Sequence, residues 1–223
     1  MEKKNFASII DSALLEPEKT LAQLEVLCAQ AKSSGYAAVA VMPSRVRQAA
    51  GLLKGSGVRV CVALGFPLGM TTPEVKAFEA VQAIENGAMD IDMVINVGAI
   101  KDGDFDLVYR DIKGVADAAK AKKDGVVVKV ILETCLLTDE EKVKACEIAE
   151  KAGADYVKTS TGFNADGATV RDIELMYRTV GNRIGVKAAG RVRTYEDAVR
   201  FTEAGANRIG CSARAAAAIV SGE

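Results

Sequence analysis

The stretch that decides the fold is Lys151–Ser160, "KAGADYVKTS", which has close parallels at Glu85–Asn96, "ENGAMDIDMVIN", and Glu203–Ser212, "EAGANRIGCS". In each, a helical pattern ends, a glycine supplies a left-handed cap, an alanine follows, and two residues later an apolar strand begins. A looser version is "SSGYAAVAVM". Helical stretches such as "PEVKAFEAVQAIE" and "TDEEKVKACEIAEKA" carry apolar residues at three-to-four spacing and precede these junctions. Eight strand candidates result: 10–15, 37–42, 58–65, 89–96, 126–133, 156–160, 184–190 and 208–212. Helices separate most of them, which requires parallel crossovers. The pattern predicts an α/β chain, a single-domain (β/α)8 TIM barrel over residues 1–223 with a short N-terminal helix. A doubly wound open sheet is the rival, but no G-x-G-x-x-G follows the first strand.

Composition narrows the chemistry. The formal net charge of −1 gives no electrostatic footprint for nucleic acid or an anionic membrane. No apolar run approaches the roughly 20 residues that span a bilayer, and "MEKKNFASII" lacks a signal peptide's hydrophobic core. A cytoplasmic location is expected. The 5 cysteines are scattered without a C-x-x-C pair, which fits reduced thiols better than a disulfide framework or zinc site. With 0 histidines, neither a Ser-His-Asp triad nor a histidine-ligated metal can be built.

Alternation along the strands raises the main question. In "VVVKVILE", Val126, Val128, Val130 and Leu132 share one face, with Lys129 and Glu133 on the other. Asp90 and Asp92 oppose Ile91, Met93 and Ile95, while Lys158 opposes Val157 and Lys187 opposes Ile184 and Val186. The branched face can pack on the helices, leaving the ionisable residues to share the lumen, and sites of such barrels lie at the strands' C-terminal ends. One buried lysine is most simply half of a structural ion pair. Three lysines and at least two carboxylates in phase favour a functional site, because buried ion pairs contribute weakly to stability.

A buried lysine is suited to imine formation with a carbonyl compound, which needs the neutral amine. An unperturbed lysine, with a pKa of about 10.4, is under about 0.1 % neutral at pH 7. Bringing it to about 7 requires about 4.6 kcal/mol. A second ammonium at about 5 Å with an effective dielectric of about 20 supplies roughly 3.3 kcal/mol, so desolvation must add the rest.

"YVKTSTGF" followed by "GVKAAGRVRT" resembles the 2-deoxyribose-5-phosphate aldolase family, class I aldolases on a (β/α)8 barrel. "IDSALLEP", "VMPSRV", "VALGFPLG", "DIDMVINVGAIKDGD", "VKVILETCLLTDEEK" and "GANRIGCS" extend the likeness in order along nearly the whole chain. The resemblance implies reversible cleavage of 2-deoxyribose 5-phosphate to acetaldehyde and glyceraldehyde 3-phosphate, with no metal or organic cofactor. It implies Lys158 as Schiff-base nucleophile and Lys187 as the charged neighbour that depresses its pKa. Asp92 is then a proton relay through water, Asp11 a carboxylate in the lysine network, and Lys129 a close neighbour without an assigned step. Gly162, Gly190, Arg191, Gly210, Ser212 and Arg214 become the substrate- and phosphate-binding rim. The implied partners are small aldehydes and sugar phosphates, and a homodimer is compatible with the chain.

Several positions depart from the family pattern. Ser12 and Ala13 replace a common histidine and hydroxyl residue, Ala40 a cysteine, and Met42 a polar or aromatic residue. Arg191 and Arg214 stand where the rim usually has glycine. Either arginine binds phosphate by bidentate contacts, or they fill the pocket and turn preference to unphosphorylated acceptors. Two other readings remain: a non-covalent phosphosugar isomerase or epimerase using Asp92 and Lys129, and a barrel that binds a phosphosugar without catalysis.

Overall fold

A computed structural model describes residues 5–222 of the chain. Among them, eight parallel strands close into a barrel in chain order. They are β1 (Ile10–Leu14), β2 (Ala38–Val41), β3 (Arg59–Leu64), β4 (Asp90–Val94), β5 (Val127–Ile131), β6 (Tyr156–Lys158), β7 (Gly185–Ala189) and β8 (Arg208–Ser212). Each lies inside its expected stretch, within two residues at either end. The helices are α1 (Leu21–Ser34), α2 (Val46–Leu53), α3 (Pro73–Glu85), α4 (Val97–Asp102), α5 (Phe105–Lys122), α6 (Asp139–Lys151), α7 (Val170–Val180), α8 (Tyr195–Glu203) and α9 (Ala213–Ser221). Residues 1–4 of the expected N-terminal helix lie outside the described residues, and Ala7–Ile9 forms one 3-10 turn.

The repeated junction works as a register device. Gly153 and Gly205 have φ of 90° and 114°, and the next amide reaches back five residues, Ala154 to the Ala149 carbonyl and Ala206 to that of Phe201. This closes the helix in the Schellman manner. The residue before each strand then docks on the preceding strand: Asp155 N–H donates to Val128 O at 2.8 Å and Asn207 N–H to Val186 O at 3.0 Å. The helix stop and the strand pairing are thereby set by one short segment. At the other ends, Thr20, Thr138 and Thr194 close capping boxes with Gln23, Glu141 and Asp197, each contributing about 1 kcal/mol.

The barrel wall has two unlike faces. Outward side chains such as Val62, Ile91, Val128, Val157 and Val186 join the helices in one apolar cluster. Inside, a separate cluster of Ala38, Ala40 and Cys61, with Ala13 against it, lines one side of the lumen. Barrels of this kind usually fill the lumen with branched apolar residues. Here small side chains leave room for lysines and carboxylates from the opposite wall. No helix of the described residues is long and apolar enough to cross a membrane.

Candidate active site

Strand register brings the two strand-end lysines side by side. Lys158 and Lys187 are direct partners across β6 and β7, and Asp92 and Lys129 are direct partners across β4 and β5. Lys158 Nζ and Lys187 Nζ each donate to Asp92 Oδ2 at 2.7 Å, so the amines stand no further apart than about 5.4 Å, twice that distance. Lys187 also donates to Asp11, which accepts from Arg208 Nε at 2.8 Å. Below them Lys129 Nζ donates to Asp90 Oδ2 at 2.7 Å and Asp92 Oδ1 at 3.0 Å. Arg59 and Arg208 complete the set on Asp90.

Charge balance explains how the amines differ. Three carboxylates (Asp11, Asp90, Asp92) face four cations (Lys129, Lys187, Arg59, Arg208) before Lys158 is counted. Protonating Lys158 adds a fifth positive charge at a residue only 6 % exposed. Burial accordingly pushes the Lys158 amine below the ordinary lysine range, against the pull of Asp92 and with help from Lys187. Burial works on Lys187 too, but Asp11 and Asp92 together outweigh it, and its pKa lies above the usual value. Lys129 is held well above that range, its loss of water outweighed by Asp92 and further anionic neighbours. Burial opposes the charged form of Asp92, yet the three ammonium groups hold its carboxyl well below the ordinary range. The same contest, won by Lys187, Lys129 and Arg208, lowers Asp11. Burial raises the Cys61 thiol, leaving it protonated.

Two details of the sequence hold this arrangement. Thr159, immediately after Lys158, donates its hydroxyl to Ala189 O at 2.9 Å and accepts from Ala189 N–H at 3.0 Å, locking β6 to β7 beyond the lysine pair. Gly210 gives Lys187 its path, because a Cβ there would stand 3.0 Å from Lys187 Cε.

A cleft of about 440 Å³ opens above the amines. Asp11, Asp92, Lys158 and Lys187 lie on its wall, as do Gly162, Gly190, Arg191, Gly210 and Ser212. Arg214 does not: it borders a neighbouring groove with Lys19 and Gln23. Arg191 has a left-handed backbone, φ 59°, and its guanidinium pairs with Asp166 at 2.9 Å and donates to Ala165 O. It grips the preceding loop, and the two arginines do not converge on one anion. Ser212 caps α9, accepting from Ala215 N–H at 3.3 Å. The β6–α7 and β7–α8 loops meet backbone to backbone, since a Cβ on Gly167 would fall 2.2 Å from Gly190 O. Ala13 and Ala40 line the cleft and Met42 lies outside its lining. Ser12 is buried with its hydroxyl unpartnered.

Some members of this constellation escaped the sequence reading. Arg59 and Arg208 share the lumen face with Asp90, Cys61 and Gly210, so strand parity was their available signal. Arg193 lines the cleft, and Glu133, expected on the face of Lys129, is buried with partners the sequence did not show, accepting from Thr161 and Asn164. Asp11, Cys61 and Asp92 present ligand atoms within 4.8 Å of one another, a spacing a metal ion could use. Lysine ammonium groups already bind both carboxylates, so a dication there would meet like charge.

The model of the DeoC/LacD family aldolases matches residues 4–217. The chain belongs to this aldolase family. A deoxyribose-phosphate aldolase of Geobacillus sp. is 58% identical over 210 residues, covering 94% of this chain and 93% of that protein. One from Listeria innocua is 58% identical over 217 residues, covering 97% and 95%. The tetrameric structure of deoxyribose phosphate aldolase from Aeropyrum pernix superposes with a TM-score of 0.89 at 34% identity, covering 97% of this chain and 89% of that one.

Proposed function

We propose that this aldolase cleaves 2-deoxyribose 5-phosphate reversibly to acetaldehyde and glyceraldehyde 3-phosphate through an imine on Lys158. The observation that carries the reading is the unequal pair of amines on one carboxylate: Lys158 is disfavoured as a cation, while Lys187, bound also to Asp11, is favoured as one. A neutral Lys158 Nζ attacks the carbonyl carbon, giving a carbinolamine. Asp92 Oδ2, the acceptor nearest that nitrogen, takes the nitrogen's proton and returns it through a water to the departing hydroxyl. The resulting iminium withdraws electrons. The hydroxyl two carbons away gives up its proton through water, and its carbon becomes the aldehyde of glyceraldehyde 3-phosphate and departs. The electron pair of the broken carbon–carbon bond stays behind as an enamine. Protonation of that enamine carbon and hydrolysis release acetaldehyde and restore the amine.

An isomerase that uses Asp92 and Lys129 without covalent chemistry fits less well. Lys129 is fully buried, held by Asp90 and Asp92, and is not part of the cleft wall. Borohydride reduction in the presence of acetaldehyde separates the readings. The aldolase should acquire a stable ethyl group on Lys158, absent in Lys158→Met. Turnover of the sugar phosphate with no trapped adduct would leave the isomerase, and ligand-induced stabilisation without turnover would leave a binding protein.

The rim decides the acceptor. With Arg191 paired to Asp166 and Arg214 outside the cleft, the backbone of Gly162 and Gly190 and the side chain of Arg193 are left to meet a phosphate. Turnover of 2-deoxyribose 5-phosphate should exceed that of 2-deoxyribose by more than about tenfold, the worth of one charge-assisted contact. Equal turnover would shift the reading to unphosphorylated acceptors. A homodimer is the assembly to test first, by light scattering.

A further inference from the structure

Among the described residues, the non-glycines with left-handed backbones are Glu133 and Arg191. Both put their side chains on the same loop. Arg191 grips its outer part at Ala165 and Asp166. Glu133 grips its inner part: Oε1 accepts from Thr161 N–H at 3.2 Å, and Oε2 accepts from the Thr161 hydroxyl and from Asn164 Nδ2 at 2.9 Å. The Thr161 oxygen in turn accepts from Phe163 N–H at 3.1 Å. One carboxylate thus fixes the turn from Thr161 to Asn164, which lines the cleft above Lys158.

We propose that Glu133 is a positioning residue for substrate, holding the Thr161–Asn164 turn in the shape that receives the part of the substrate furthest from Lys158. The position itself argues for this. The chain leaves β5 through Glu133 at φ 57°, ψ 61°, a conformation in which glycine or asparagine is the ordinary choice. A glutamate there is disfavoured by its backbone, so its side chain must supply the advantage. It is 1 % exposed, and its three donors all come from this turn. None of these bonds goes to Asp92, Lys158 or Lys187. The loop packs against Gly190, and Thr161–Asn164 share the cleft wall with Gly190, Arg191 and Arg193, where a charged end of the substrate would find cationic partners.

This inference rests on the aldolase reading and deepens it. The two are separable because imine trapping at Lys158 reports the reading and the sugar-phosphate KM reports Glu133. In Glu133→Gln the acceptor for one of the three donors is lost, and KM for 2-deoxyribose 5-phosphate should rise about tenfold or more. The rate of borohydride trapping with acetaldehyde should stay within about twofold, less than one hydrogen bond is worth. Glu133→Gly is the sharper variant. It relieves the backbone and removes the whole grip, so it should raise KM at least as far as Glu133→Gln does. Hydrogen exchange of the 161–164 amides reads the grip without turnover, and protection there should fall in both variants. An unchanged KM, unchanged exchange, or a trapping rate that falls as far as KM rises would each overturn the proposal.

Discussion

Replacing Lys187 with methionine tests the electrostatic core of the site most directly. The change removes one ammonium about 5.4 Å or less from Lys158 Nζ, a limit set by two 2.7 Å contacts on Asp92 Oδ2. At an effective dielectric of about 20, that charge disfavours a protonated Lys158 by about 3 kcal/mol, or about two pKa units. Asp92 also loses a competing partner, so it pulls harder on Lys158 in the same direction. The assay is the rate of trapping by acetaldehyde and cyanoborohydride as a function of pH. Its midpoint should move to higher pH by about two units, with the rate near neutrality down about a hundredfold and recovering at high pH. Lys187→Arg keeps the charge and should leave the midpoint near that of the parent. Uniform loss at every pH with an unmoved midpoint would refute the reasoning and assign Lys187 to proton transfer instead. No loss at all would mean that burial alone depresses the amine.

Gly210→Ala should act on the same midpoint indirectly. Its Cβ would meet Lys187 Cε at 3.0 Å and Ala189 Cβ at 3.1 Å, displacing the ammonium and lowering trapping near pH 7 by about tenfold, the effect of about one pKa unit. Acid stability should follow the carboxylates. Asp11 and Asp92 have folded pKa values below the ordinary 3.8, so their stabilisation is complete above about pH 4 and is lost as pH falls through the folded values. Thermal melts should show that loss, and Asp92→Asn should show a shallower fall. Outside the site, Asp111 accepts from the fully buried Lys76 ammonium, which also donates to Val94 O at 2.9 Å. Asp111→Ala should cost about 3–5 kcal/mol in urea unfolding, whereas the paired change Lys76→Met with Asp111→Leu should be close to neutral.

The barrel was legible because its punctuation is local. The junctions at Gly153 and Gly205 mark helix end and strand start together, and Pro73–Glu85 forms the helix read from its spacing. Lys158, Lys187, Asp92 and Lys129 were legible through strand parity, which assigns a face. Parity does not assign a neighbour. That Lys158 stands directly beside Lys187 depends on register around a closed sheet, a long-range property. Arg214 falls in the first turn of α9, which begins at Ala213, and borders the neighbouring groove, a placement that the strand pattern does not specify. Arg191 was hard to read because its left-handed backbone sends its guanidinium toward Asp166. Glu133 carried a weak signal: a carboxylate ending an apolar strand has many ordinary explanations, and its partners lie on another loop.

The direct pairing of Lys158 with Lys187 carries a consequence for how such a protein can change. Adjacent strands of any sheet lie about 4.8 Å apart, and Asp92, on a third strand, bridges both amines, so the pair is held by the barrel wall and not by the rim. Loops above the barrel can lengthen, shorten or exchange their side chains to admit new aldehydes while the nucleophile keeps its reactivity. Recognition and reactivity reside in separate parts of the architecture, and selection or a protein engineer can alter the first while the second stays fixed.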